Sequence, residues 1–249
     1  MNDLGRVIDE HAKREQRSAA DPKLGLGYGY PDGHRLELAQ TKSDNKTNVC
    51  LSAMEFQKVV RRRRMVRHFT SEPVPMETIN EILELAQRSP SAGFSQGCAY
   101  VVVADPEVKL KLAKLQGEED YSAVGFHRWI SEAPVAVVAC VSEKLYHDRY
   151  NEPDKLNEEG NEIEWPTPYW YFDIGASSMV VLLGSVDAGL AAAFSGVFDV
   201  RGVKELLGIP EHFHPVGVIS IGHGAQDVKS PSLKRGRRPL PDVVHYDRW

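Results

Sequence analysis

The sequence predicts an α+β domain, a mixed central sheet flanked by helices. Short apolar runs of strand length alternate with amphipathic segments of helical spacing, so helices have a sheet to cover. The 249 residues are 42% hydrophobic and 26% charged, the balance of an ordinary globular domain. The alternation starts only near Met54, which sets the first fifth of the chain apart.

Residues 1–50 are polar, carry "SAADPKLGLGYGYPDGH" and show little periodicity beyond a short helical stretch over 4–17. They read as a flexible or loosely docked N-terminal extension to a folded domain at 51–249. The "GLGYGY" within them has neither a preceding strand nor the spacing of a dinucleotide loop. Met54 could itself be the initiator.

The folded part opens with "MEFQKVVRRR", a helix with Phe56, Val59 and Val60 on one face. A clearer helix follows over 75–88. Pro75 suits its first turn, and Ile79, Ile82, Leu83 and Ala86 form its apolar stripe. "AYVVVAD" is a strand, "PEVKLKLAKLQ" a helix and "APVAVVACVS" a second, buried strand. Residues 144–168 read as a long polar connection, and one of that length is usually functional or mobile. The apolar stretch that follows predicts a helix over 169–189, buried inside the protein or at a dimer interface. Asp173, Asp187 and missing flanking anchors argue against a membrane span. "LAAAFSGVF" is a short strand with a glycine turn, "VRGVKELLGIP" a helix and "HPVGVISIGHG" the last strand, before a basic, proline-marked tail.

A net charge of −5 argues against a general nucleic-acid binder. Cys50, Cys98 and Cys140 lack paired spacing, which fits neither a disulfide framework nor zinc and favours a reducing cytoplasm. His212 and His214, one residue apart, would point the same way on a strand but lack a third metal ligand. Two arginine clusters, "RRRRMVRHF" and "KRGRRP", are either solvated basic patches or, if they converge, a phosphate site. The turn "SPSAGFSQG" and the strand end "AFSGVF" are either connectors or places where backbone approaches a flat ring or an anion.

The order of these segments resembles the nitroreductase family of flavoproteins. "RRRMVRHF", "EPVPMETINEILELAQRSPSAGFSQG", "VVVAD", "DIGASSMVVLLGSVDAGLAAAFSGVFD", "VKELLGIPEHFHPVGVISIGHGA" and "RRPLPDVVHYDRW" carry the resemblance over about four-fifths of the chain. It implies an intertwined homodimer with FMN at its interface. NAD(P)H would be the electron donor and a small flat electrophile, nitroaromatic or quinone-like, the acceptor in a ping-pong cycle. It assigns Arg63, Arg64 and Arg67, with Met65 among them, to the phosphate, ribityl chain and pyrimidine edge of the flavin. Arg235 and Arg237 would close on the phosphate. Pro90, Ser91, Ala92, Phe94 and Gln96 would line the flavin from the partner subunit, and Phe194, Ser195 and Gly196 would lie near its reactive edge. No side chain is implied as a nucleophile or acid, since the flavin carries the chemistry.

Two departures bear on function. Met65 stands where many members have serine, and Phe94 where many have asparagine. "SAGFSQ" is closer to the turn of the flavin-cleaving dimethylbenzimidazole synthase branch, which has an aspartate at the position of Met65. The alternatives are therefore a flavin-cleaving or dehalogenating member of the same fold, with 144–168 as a lid, or a flavin or deazaflavin carrier with little turnover.

Overall fold

The computed structural model describes residues 54–249. The extension at 1–50, its short helix and Cys50 lie outside those residues.

The elements, in chain order, are α1 (Phe56–Arg62), α2 (Met76–Ala86), β1 (Cys98–Val103), α3 (Pro106–Leu115), α4 (Glu118–Ala123) and β2 (Val135–Val141). They continue with α5 (Glu143–Tyr150), α6 (Tyr169–Asp187), β3 (Ala191–Gly196), α7 (Val200–Leu207) and β4 (His214–Gly222). The tail adds two 3₁₀ turns, Pro231–Arg235 and Leu240–Asp242. Among the described residues no helix is long and apolar enough to cross a membrane.

The four strands run in the order β1-β2-β4-β3, and every neighbouring pair is antiparallel. The parallel element of the expected mixed sheet is reduced to an isolated bridge between Met65 and Ala192. Strand β2 is buried along its whole length, as a central strand covered on both faces must be. Its side chains alternate between two cores. Ala136, Val138 and Cys140 join Leu112, Ala113, Trp129 and Val203 on one face, under α3 and α7. Val135 and Val137 join Ile79, Ile82, Val181 and Leu182 on the other, under α2 and α6. Burying Ile79 and Ile82, at 0% and 3% exposure, contributes roughly 1.5–3 kcal/mol each.

Local chemistry sets the helix ends. Asp105 caps α3 by accepting from the Glu107 and Val108 N–H groups at 2.9 Å, with Pro106 in the first turn. Asp199 caps α7 through the Gly202 N–H at 2.8 Å, and Gly208 ends it at φ 63°.

Three expectations change. The connection over 144–168 is helical in its first part, because α5 turns Tyr146 into the core (0% exposed) although most of its other positions are polar. The 169–189 helix is not buried on all sides of one chain. Trp170, Ile174, Val181 and Leu182 face inward, while Tyr169, Tyr171, Phe172 and Met179 are exposed. Strand β4 begins at His214, so His212 precedes it and the pair does not share a strand face.

Candidate functional site

The sequence candidates fall into separate groups in a single chain. The first lies around the C-terminal end of α6. The Met54 N–H donates to the Asp187 carboxylate at 2.8 Å, and the Val66 N–H to the Ala192 carbonyl at 3.2 Å. The first ties the residue ahead of α1 to the end of α6, and the second seats the segment after α1 against the start of β3. Arg62 and Arg64 border a hollow of about 250 Å³ with Val186 and Leu190. The Met65 side chain packs against the core beside α3 and α7. The Arg67 N–H donates to Asp227 at 2.8 Å, and its guanidinium lies 5.6 Å from the Phe126 ring and 5.7 Å from that of Trp129. No described carboxylate pairs with the side chains of Arg63, Arg64 or Arg67, which leaves unneutralised cationic charge on one short segment.

Strand β3 supplies the next three candidates. The Phe194 ring lies over Gly217 of β4, so closely that a Cβ there would meet its Cζ at 2.3 Å. Only glycine leaves room for that ring. The Ser195 hydroxyl is enclosed with no hydrogen-bond partner. The Gly196 carbonyl accepts from Gln116 Nε2 at 3.2 Å, and the same amide's oxygen accepts from the Phe198 N–H at 3.0 Å.

The second group lies at the other end of α6. Residues 91–96 form a tight turn in which Gly93, Phe94 and Gln96 have φ of 59°, 59° and 52°. The left-handed region costs a side-chain-bearing residue about 1–2 kcal/mol, so surrounding contacts must hold this turn. The Ala92 N–H donates to Asp173 Oδ2 at 2.8 Å, Arg149 Nε to the Gly93 carbonyl at 3.0 Å, and the Gln96 N–H to Ser91 Oγ at 2.8 Å. The Tyr150 ring forms a floor beneath Gly93. Phe94 itself projects outward, 67% exposed.

Pro90, Ser91, Phe94 and Gln96 line a cleft of about 520 Å³ whose other walls include Cys98 and Tyr100. Ser177 Oγ donates to the Ala86 carbonyl at 2.8 Å. Its one proton is thereby used, so the Tyr100 phenol must donate to Ser177. Burial pushes the phenol up to about 12. Burial, then the nearby Asp173 charge, pushes the Cys98 thiol up to about 11, so it is a neutral thiol at pH 7.

About 21 Å of helix axis separates Asp173, which meets the turn, from Asp187, which holds Met54 ahead of α1 and the arginine segment. One chain therefore does not bring these two groups together. Arg235 and Arg237 lie on the exposed tail and pair with none of the other candidates. Sequence reasoning missed Asp173, Tyr146, Arg149 and Tyr150 as supports of the turn. The available signal was a charged residue in an apolar helix, which when buried must find donors.

The site fits an anionic, hydrogen-bonding cofactor. Three guanidinium groups without carboxylate partners among the described residues suit a phosphate. Comparisons with known proteins agree with the architecture. A Methanothermobacter thermautotrophicus protein, provisionally named an NADH dehydrogenase/NAD(P)H nitroreductase, is 28% identical over 205 residues, covering 80% of this chain and 90% of its own. The Bacillus subtilis FMN reductase [NAD(P)H] is 28% identical, over 75% of this chain and 71% of its own. The iodotyrosine deiodinase of Nematostella vectensis is 26% identical, over 76% and 74%. A crystal structure of a nitroreductase family protein from Streptococcus pneumoniae shares the fold, with a TM-score of 0.61, 22% identity and coverage of 77% of this chain and 99% of its own. The family model for nitroreductases matches residues 60–223, about two-thirds of the sequence, and the chain belongs to the nitroreductase family of oxidoreductases.

Proposed function

We propose that the protein is an FMN-dependent NAD(P)H oxidoreductase that reduces a small, flat electrophile and works as a homodimer. The observation that carries this reading is the set of guanidinium groups on the 63–67 segment, unpaired among the described residues, beside the end of α6 whose other end, about 21 Å along the helix axis, anchors a strained turn. A second copy related by a two-fold axis would bring the turn of one chain to the arginines of the other. The exposed stripe of α6, with Phe172 and Met179, supplies an apolar surface for that pairing.

In this reading Arg63 and Arg64 bind the phosphate, joined by Arg235 and Arg237 from the tail. Arg67 puts a fixed cation near the pyrimidine edge, where a reduced flavin carries negative charge. Its pose is set by Asp227 and by stacking on Phe126 and Trp129. Ser195 and Gly196 border the reactive edge, and Phe94 caps the ring from the partner with an apolar surface that excludes water. Bound FMN would accept reducing equivalents from NAD(P)H and deliver them to the acceptor in separate half-reactions. That division of labour explains why no side-chain nucleophile is needed.

The test is the visible spectrum of the purified protein, followed by NADPH oxidation with a quinone or nitroarene. A flavin spectrum at about one FMN per subunit, with acceptor-dependent turnover, supports the proposal. A colourless protein that gains no flavin absorbance with added FMN would overturn it. A second reading, reductive dehalogenation, is favoured by the iodotyrosine deiodinases among the relatives. Iodide release from an iodophenol under the same conditions would select it.

A further inference from the structure

Asp173 is 4% exposed, sits in a largely apolar helix and makes no ion pair among the described residues. A buried carboxylate without a cation must be repaid by hydrogen bonds or it would not be tolerated. Both donors it finds, on Oδ2, belong to the 91–96 turn and to α5 packed beneath it. The Ala92 N–H lies 2.8 Å away, and the Tyr146 phenol, itself 0% exposed, lies 2.7 Å away. Ala92 opens the turn that carries the two left-handed residues Phe94 and Gln96, and Ser91 before it offers no side-chain cap.

We propose that Asp173 is a positioning residue: by accepting from Ala92 and Tyr146 together, its carboxylate fixes the 91–96 turn, strained though it is, in the shape that meets the flavin. The proposal rests on the flavin reading for the turn's purpose, but the anchoring itself does not. Asp173 never touches the cofactor. It acts through a backbone amide, and Tyr146 ties the same oxygen to α5, so α5, α6 and the turn move as one piece. The charge has a second consequence. It contributes to keeping Cys98, in the wall of the same cleft, protonated, so a nucleophilic thiolate is suppressed beside an electrophilic ring.

The experiment uses the full chain and three variants, Asp173→Asn, Tyr146→Phe and the double variant. An amide oxygen is a weaker acceptor than a carboxylate and must serve two donors while its NH₂ repels them. Asp173→Asn should therefore speed amide exchange in 91–96 at least about tenfold, leave the C-terminal half of α6 unchanged, and raise the FMN dissociation constant about tenfold, the scale of one charge-assisted hydrogen bond. Adding Tyr146→Phe removes the competing donor, so Ala92 regains the amide oxygen. The double variant should then bind FMN more tightly than Asp173→Asn alone, a reversal that general destabilisation does not produce. Cys98 should also alkylate faster at pH 9 in Asp173→Asn. Unchanged exchange in 91–96, or losses that simply add in the double variant, overturns the proposal. Faster exchange with unaltered FMN affinity leaves the anchor standing but refutes its role toward the flavin. If the wild type binds no FMN at all, it is the functional reading that falls, while the exchange result still decides the anchor.

Discussion

Gly93→Ala probes the floor of the 91–96 turn. Gly93 has φ 59°, and a Cβ built on it would lie 2.5 Å from Tyr150 Cε2 and 2.9 Å from Cζ. Two costs add. The left-handed backbone penalises an L side chain by about 1–2 kcal/mol. Moving a packed ring to relieve a contact that close is an overpacking problem, worth about another 1–3 kcal/mol. Gly93→Ala should thus destabilise the protein by about 2–5 kcal/mol in urea unfolding at fixed protein concentration. The Tyr150→Ala background separates the terms, because it removes the ring and leaves the backbone. There the same substitution should cost only about 1–2 kcal/mol. If Gly93→Ala lies within about 0.5 kcal/mol of the wild type, the turn is not held as described and the argument fails.

The remaining predictions concern cofactor, assembly and pH. Arg63→Ala and Arg237→Ala should each weaken FMN binding by roughly 1.5–3 kcal/mol without unfolding the apoprotein, measured by fluorescence titration; unchanged affinity in both would remove the phosphate assignment. Phe172→Glu, at a residue 65% exposed on the apolar stripe of α6, should shift sedimentation from dimer to monomer at micromolar concentration. Retention of the dimer would move the interface elsewhere. The hydrogen bond to Glu162, at 2.6 Å, raises the His147 pKa above 6.5. The folded-state value lies above the unfolded one, so this tether is fully present below about pH 6.5 and is lost as pH rises through the raised pKa. Amide exchange in 151–168 should accelerate across that rise, and His147→Gln should abolish the pH step.

Most of the framework was legible in the sequence because it rests on local signals. The stripe of Ile79, Ile82 and Ala86, the run at 135–141 and the Pro106 helix start each fix one element without help from the rest. Helix α5 was not legible, since only Tyr146 of it is buried and one residue makes no period. Helix α4 escaped for a related reason. Its buried residue is Glu118, whose carboxylate accepts the Ile130 N–H at 2.6 Å and the Ser131 N–H at 3.1 Å, a long-range bond with no signature in the six residues themselves. The candidate site shows the same limit. Arginine content pointed to 63–67, but the supports of the turn come from α5 and α6, more than fifty residues downstream.

That distance is informative about how the helix 169–187 is used. Its inward face is ordinary core, with Ile174, Val181 and Leu182 against the sheet. Its polar residues do something else, because each end reaches a different half of the candidate site: Asp173 the turn, Asp187 the segment before the arginines. A helix is the stiffest element available for fixing such a separation, at 1.5 Å per residue. The outward stripe of Tyr169, Phe172 and Met179 is left uncovered in one chain, and Met179 lies close to the midpoint between Asp173 and Asp187. If two copies pair through that stripe antiparallel, the Asp173 end of one helix approaches the Asp187 end of the other. The assembly would then bring turn and arginines together twice, and covering the stripe would be the same event as completing the site. It follows that a charge placed on the stripe should abolish flavin binding along with dimerisation, even though it touches no candidate cofactor residue. Monomers of Phe172→Glu that still bind FMN at wild-type affinity would break this linkage.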